Sequence, residues 1–316
     1  MGEPRTTDDM MVGRLERLIM IRSFPGYRDL PPDEVAALAE RFVERRYRKG
    51  DLLEREHMPV RHVHFLARGS VQLRKEGRVL RTLGDHSVVG GISALSGDQE
   101  GYDVEALEPT VTLRIPVDEM LEFFEDNFML MASAIRGISA EVVNVRRQLM
   151  PNGGFVRSEW QPEGPPPESL DLVERMAALR RSFPLEGTRL EAIADLARDV
   201  SERRWAPGEV IFRPGERPDG LFFVVYGAVL GTSEGFDLRF GPGDVVGSLG
   251  TVAGADRWYE ARTETEVVAL RLERDMLIDV LEDHHDLAVA MLRALAKSLL
   301  DSMAEASRQG RTVTPG

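Results

Sequence analysis

The hydrophobic pattern changes period along the chain, and it makes the same changes twice. In "PPDEVAALAERFVERRY" (31–47) apolar residues recur at helical spacing behind prolines and acids, which predicts a helix. Short apolar runs broken by Gly and Pro follow, such as "LRTLG" (80–84). They predict antiparallel strands joined by tight turns. Helical spacing then returns, with Phe128, Met131, Ile135, Ile138 and Val142 on one stripe. The order repeats with "GTRLEAIADLARDVSERRW" (187–205), "GLFFVVYGAVL" (220–230) and "DLAVAMLRALAKSLLDSM" (286–303). Here Leu287, Met291, Leu295, Leu299 and Met303 form the stripe, with Leu292 and Ala296 beside it. Such a stripe suits docking on the strands or on a partner helix, so homodimerisation through the C-terminal helices is an expectation.

The resemblance between the halves extends to individual residues. "RSFP" stands at 22–25 and 181–184, and "ERRYRKGDLL" (44–53) lines up with "ERRWAPGEVI" (202–211). "FLARGSVQL" (65–73) lines up with "FVVYGAVLG" (223–231), placing Gly69 over Gly227. After one dropped residue, "VVGGISALSG" (88–97) meets "VVGSLGTVAG" (245–254), and "LRIPVDEMLEFFED" (113–126) meets "LRLERDMLIDVLED" (270–283). Matches in one order over about a hundred residues mark a duplicated domain, and a period this long requires each copy to hold its own core. The expected boundaries are an N-terminal segment at 1–17, a first domain at 18–149, a Pro/Gly-rich linker at 150–169, a second domain at 170–305 and a frayed tail at 306–316.

Composition narrows the function. A length of 316 residues with 42% hydrophobic and 29% charged residues fits two globular domains. The net charge of −13 argues against nucleic acid or anionic membrane as partners. There is no cysteine, which excludes disulfides and thiolate metal sites and fits a cytoplasmic location. The acidic N-terminus does not read as a secretory signal, and no run of about 18 apolar residues predicts a membrane span. Among enzymes, no nucleophile elbow, P-loop or zincin motif occurs. Short basic stretches such as "RRYRK" (45–49) and "VRRQL" (145–149) are flanked by acids and read as solvated faces.

A helix, short strands with Gly-Asp/Glu and "G-x-V" turns, and a long closing helix occur in this order in both halves, and the second adds "PGE" (207–209) and "GD-x-x-G" (243–247). The pattern resembles the cyclic nucleotide-binding domain family over about 18–148 and 174–305, most closely at "APGEVIFRPGERPDGLFFVVYGAVLG" and "FGPGDVVGSLG". The resemblance implies an α+β fold: two tandem double-stranded β-helix (jelly-roll) barrels, each flanked by N-terminal and C-terminal helices. The tandem arrangement is similar to the regulatory subunits of cyclic-nucleotide-dependent kinases. After the second long helix about a dozen residues remain, too few for the helix-turn-helix of the family's transcription factors.

The family's ligand sits in a cassette of the form F-G-E-L-A-L-L-x-x-x-P-R-A-A-T-V. Its glutamate accepts from the ribose hydroxyl, and its arginine pairs with the cyclic phosphate. In the first copy, "VGGISALSGDQEGYDVEA", Gly90 is followed by Gly91 in place of the glutamate, and Glu100 falls where the arginine belongs. A carboxylate there repels a phosphate, so this cassette is expected not to bind in the family's way. In the second, "VGSLGTVAGADRWYEA", Gly247 is followed by Ser248 and Leu249, and Arg257 keeps the arginine's register ahead of Trp258 and Tyr259. Two readings of Arg257 stand open: a surface arginine paired with Asp256, Glu260 or Asp244, and a phosphate ligand. Gly247, Ser248, Leu249, Arg257 and Trp258 are the candidate ligand residues of this copy, while the aromatic rings of Trp258 and Tyr259 are expected to serve packing.

His62 and His64 share one face of a strand, with His57 and His86 near in sequence, and His284 and His285 lie in a helical segment. An H-x-H on such a barrel is similar to metal-binding cupins, but the glutamate those sites need does not follow. His62 and His64 align with Gly220 and Phe222, so surface or rim histidines and no metal site are expected. The leading expectation is therefore a non-enzymatic regulatory or scaffolding protein that engages protein partners through both barrels. The alternative is a sensor with one cyclic nucleotide, or a related small phosphate, in the second domain. A cupin-like metalloenzyme stands third.

Overall fold

The computed structural model describes residues 13–24, 27, 30–97, 101–149, 164–182, 185, 188–233 and 236–309. Glu100 and most of the expected linker lie outside these residues. The first repeat runs α1 (Arg14–Ser23), α2 (Pro32–Arg41), β1 (Val43–Tyr47), β2 (Leu52–Glu54), β3 (His62–Arg68), β4 (Val71–Lys75), β5 (Arg78–Leu83), β6 (Val88–Val89), α3 (Gly91–Ser96), β7 (Asp103–Ala106), β8 (Thr110–Pro116), α4 (Val117–Asp126) and α5 (Phe128–Leu149). The second runs α6 (Leu172–Arg180), α7 (Leu190–Asp199), β9 (Ser201–Trp205), β10 (Val210–Phe212), β11 (Gly220–Tyr226), β12 (Val229–Ser233), β13 (Phe236–Phe240), β14 (Val245–Val246), α8 (Ser248–Ala253), β15 (Glu260–Thr263), β16 (Val267–Glu273), α9 (Arg274–Asp283) and α10 (His285–Arg308).

Each repeat folds its strands into two antiparallel four-stranded sheets, β1-β8-β3-β6 with β2-β7-β4-β5, and β9-β16-β11-β14 with β10-β15-β12-β13. This is the expected pair of jelly-roll barrels with flanking helices. The second barrel is filled by Phe212, Phe222, Val224, Val246, Tyr259 and their neighbours, and the first by Leu66, Val71, Leu73, Val89, Tyr102 and Val104. Gly227 (φ 93°) and Gly69 (φ 98°) sit at one equivalent turn in left-handed backbone. A Cβ on Gly69 would lie 2.8 Å from Thr110 Cα and 2.9 Å from Pro109 O, so the turn excludes any side chain.

Three expectations change. The helical stretch expected over 31–47 stops at Arg41: Phe42 turns extended and buries its ring, and "VERRY" pairs with β8 as β1. The equivalent "SERRW" pairs with β16. Ladder formation beside a barrel outweighs the helical spacing there. The tail expected from 306 begins later, because α10 continues to Arg308. Third, α5 is long and apolar enough to cross a membrane by length and composition, where no such span was expected. Its apolar residues have an internal use, since Leu130, Met131, Ile135, Val142, Val145 and Leu149 are buried in the chain.

The chain forms two compact units. One takes residues up to Gly137 together with those from Leu295 on, and the other takes Ile138–Ala294. These limits differ from the expected boundaries at 149 and 305. The last part of each long helix is the reason: Val142, Val143 and Leu149 are buried in the second unit, and Leu299 and Ala306 in the first. Most of the stripe that suggested homodimerisation, Leu287, Met291, Leu295 and Leu299, is buried within the single chain.

Candidate functional site

In the second unit the turn from β14 into α8 is built on Gly247, whose φ of 79° puts it in the left-handed region. Its N–H donates to Tyr259 Oη at 2.9 Å, and its carbonyl accepts from Thr251 N at 3.2 Å. The Thr251 hydroxyl lies 2.7 Å from Gly220 O and 2.9 Å from Gly247 O. Arg257 enters this knot with its backbone fixed at both ends: its N–H donates to Glu216 O at 2.9 Å, and its carbonyl accepts from Gly215 N at 2.8 Å. Its guanidinium donates to Gly247 O (2.8 Å), Thr251 Oγ1 (3.1 Å) and Gly220 O (2.5 Å), and lies 4.2 Å from the centre of the Phe212 ring.

Arg257 is only 5% exposed, which overturns the reading of it as a surface arginine. Among the described residues it makes no ion pair with Asp256, Glu260 or Asp244. Glu260 pairs with Arg262, and Asp244 accepts the Gly241 N–H. Burial lowers the proton affinity of the Arg257 guanidinium; Tyr259, Asp219 and Glu216 oppose this without an ion pair. A desolvated cation held on neutral carbonyls attracts an anion strongly.

Beside Arg257 opens a cavity of about 500 Å³. The five residues expected from sequence, Gly247, Ser248, Leu249, Arg257 and Trp258, all line it, joined by Tyr259, Asp244, Arg239 and Phe240. Trp258 is half-buried with its ring 4.8 Å from that of Tyr259. Tyr259 is a core residue, as expected, and burial pushes its phenol up to about 12 against the Gly247 hydrogen bond and the charges of Arg257 and Arg146. Arg146 is the lining residue that sequence reasoning missed. "VRRQL" read as a solvated face, but Arg146 is half-buried on the cavity wall and burial lowers its proton affinity. Helical phase was the available signal: Val142, Val143 and Val145 are buried, Arg147 is exposed, and Arg146 lies between them.

The first unit keeps the frame and replaces the side chains that contact the arginine. Gly90 (φ 88°) donates its N–H to Tyr102 Oη at 3.3 Å, mirroring Gly247 and Tyr259. Gly91 opens α3, and Glu100 lies outside the described residues. At positions equivalent to Phe212 and Thr251 stand Glu54 and Ala94, so the ring and the hydroxyl that contact Arg257 have no counterpart there. The corresponding cavity is about 240 Å³ and largely apolar, with Leu80, Ile92, Leu299 and Met303 in its wall.

His64 also departs from expectation. It is not a surface or rim residue but 1% exposed, with Nε2 3.0 Å from Glu54 Oε1 and Nδ1 3.4 Å from Thr112 Oγ1. The second barrel has Phe222, Phe212 and Ala269 at these positions, so an apolar cluster there corresponds to a polar network here. His62 is half-buried, and burial followed by Arg114 lowers its proton affinity. His57 and His86 are exposed at left-handed turns. His284 and His285 are half-buried, and His284 Nε2 lies 3.0 Å from Asp195 Oδ2. Among the described residues no three ligating side chains form a metal group.

The chain is similar to several known proteins. The CRP-like cAMP-activated global transcriptional regulator of Mycobacterium tuberculosis is 30% identical over 127 residues, which cover 38% of this chain and 57% of that protein. An uncharacterized NTE family protein of Mycobacterium bovis is 32% identical over 126 residues, 39% of this chain and 22% of that one. The chain thus spans little more than half the length of the first and less than a quarter of the second. Among solved structures, the regulatory domain of Toxoplasma gondii PKA with cAMP matches 90% of this chain and 96% of its own at 14% identity and a TM-score of 0.35. The regulatory subunit of a cAMP-independent protein kinase A from Trypanosoma brucei matches 97% and 92% at 16% identity and a TM-score of 0.35. The profile of the cyclic nucleotide-binding domain matches residues 44–127 and again 202–284. Matched in both repeats and over more than half its length, the chain belongs to the cyclic nucleotide-binding domain family.

Proposed function

We propose that this chain is a non-enzymatic, cytoplasmic regulator with one ligand-binding barrel. The second barrel takes a small phosphate-bearing ligand, a cyclic nucleotide or a relative of one, against Arg257. The first barrel serves as an interaction module for a protein partner. One observation carries the reading: Arg257 is buried beside a cavity of about 500 Å³, with carbonyl and hydroxyl partners and, among the described residues, no carboxylate ion pair. Protein is favoured over nucleic acid as the partner by the net charge of −13.

A second reading keeps both barrels as ligand-free scaffolds. It is favoured by Ser248 in place of the family's glutamate and by the engagement of Arg257 and of the Gly247 N–H inside the protein. Isothermal titration with cyclic AMP, cyclic GMP and cyclic dinucleotides separates the two. Sub-micromolar binding that disappears in Arg257→Ala supports the sensor. Absence of binding below the high micromolar range supports the scaffold.

A further inference from the structure

The first barrel has a cavity at the same place in its fold as the arginine-lined cavity of the second, with a different chemistry. Gly90 and Ile92 stand where Gly247 and Leu249 do, and Tyr102 stands where Tyr259 does. The helices α5 and α10 begin at equivalent residues, Phe128 and His285, and equally far along them come Arg146 and Met303. Arg146 lines the second cavity and Met303 the first. Leu73, Leu80, Leu83 and Ile92 of the barrel and Leu299 and Met303 of α10 form an apolar wall, and all of them belong to the first unit. The charged residues of the lining that are exposed, Glu76, Arg78 and Arg308, mark its mouth, and Arg308 is paired with Glu305 at 3.0 Å. Lys75 and Arg81 are half-buried and engaged by other groups of the protein.

We propose that the first cavity is a binding site for a small, uncharged, apolar molecule. Apolar side chains that face an open cavity lack the contacts of a filled core and keep surface in water, and an apolar occupant removes both costs. Val88 shows the unfilled state: it lines the cavity from β6 and is 39% exposed. An uncharged occupant is favoured over a phosphate because, among the described residues, no cation of this lining is buried as Arg257 is. The sequence also sets Glu100 in the register of that arginine. The volume is about 240 Å³, and an apolar cavity of about 150 Å³ already takes up benzene. Met303 adds an adaptable wall, since its unbranched thioether fits apolar shapes of several kinds. Leu299 and Met303 lie near the end of α10, so an occupant ties that helix end to the barrel.

The test titrates the full chain with N-phenyl-1-naphthylamine, a neutral probe whose fluorescence rises in apolar surroundings. The proteins are the wild type, Met303→Arg, Ala304→Phe and Met303→Leu, each checked for wild-type circular dichroism. Met303→Arg installs the residue that the second barrel has at this place, and Ala304→Phe fills the space with a ring. Met303→Leu keeps both volume and polarity. The wild type is expected to take up one equivalent of the probe. Met303→Arg and Ala304→Phe should each bind it at least tenfold more weakly, and Met303→Leu within twofold of the wild type. Should Met303→Arg fail to fold, Ala304→Phe decides. Absence of saturable uptake by the folded wild type overturns the proposal, and so does uptake that Ala304→Phe leaves unchanged. Displacement of the probe by cyclic AMP in Arg257→Met, which lacks the arginine of the second barrel, would give the cavity to a nucleotide and also overturn it. The reading of the second barrel stands or falls separately, since the cavity tested lies in the first unit.

Discussion

Replacing Arg257 with Met separates a residue that holds the barrel together from one that awaits an anion. The substitution removes three charge-assisted hydrogen bonds, to Gly247 O, Thr251 Oγ1 and Gly220 O, at about 1.5–3 kcal/mol each. It also removes a buried cation whose desolvation opposes folding by several kcal/mol, on the order of the bonds themselves. The carbonyls are not orphaned: Thr251 Oγ1 stays 2.7 Å from Gly220 O, and Gly247 O keeps the Thr251 N–H at 3.2 Å. The methionine sulfur remains over Phe212, retaining part of the ring contact. The net cost to the ligand-free protein is therefore about 1–2 kcal/mol. Urea unfolding followed by tryptophan fluorescence, with circular dichroism as the second probe, measures it. A loss above about 4 kcal/mol would show that Arg257 is a structural strut whose energy belongs to the fold, and the reasoning from an uncompensated cation would collapse.

Further predictions follow from neighbouring geometry. Tyr259→Phe removes the acceptor of the Gly247 N–H and should cost about 1–2 kcal/mol at neutral pH. Because burial raises the phenol from 10.0 to about 12, the unfolded chain ionises first as pH rises, so wild-type stability falls between those values by roughly 2–3 kcal/mol. The phenylalanine variant should lack that alkaline component, and denaturant midpoints at pH 9.5 and 11.5 compare the two. In the first barrel, His64→Phe strands Glu54 and should cost about 2–4 kcal/mol, while the double change with Glu54→Phe, as the second barrel has it, should recover at least half. A strictly additive double-mutant cycle would argue that the pair is not coupled. Gly227→Ala places a Cβ against Glu266 O and Val267 Cα and should cost about 3 kcal/mol or more, whereas Gly208→Ala, equally left-handed but facing open space, should cost about 1 kcal/mol. Equal losses at the two glycines would remove the steric account of the turn.

The fold was legible because duplication doubled every signal. Gly69 with Gly227, and the two "ERR" strands, gain their meaning from standing at the same place twice. The cassette was legible as a register, and all five residues expected from it in the second barrel meet at one cavity. The environment of its arginine was not, because the carbonyls of Gly220 and Gly247 that hold Arg257 leave no mark in a side-chain pattern. His64 misled for a related reason. Alternation places it on a strand face, but only the barrel's closure brings Glu54, ten residues earlier, to within 3.0 Å. Arg146 lay beyond any local motif, since its place at the cavity depends on a helix whose end belongs to the second unit while its start belongs to the first.

The central claim is that the second barrel is a working anion site, and thermal unfolding of the full chain tests it with cyclic mononucleotides, cyclic dinucleotides and ATP at saturating concentration. A ligand present at about a hundred times its Kd adds about 2.7 kcal/mol, which raises the Tm of a domain this size by roughly 5–10 °C. At least one phosphate-bearing probe should produce that shift in the wild type and lose it in Arg257→Met. No shift with any of them, or a shift that survives the loss of Arg257, would contradict the claim.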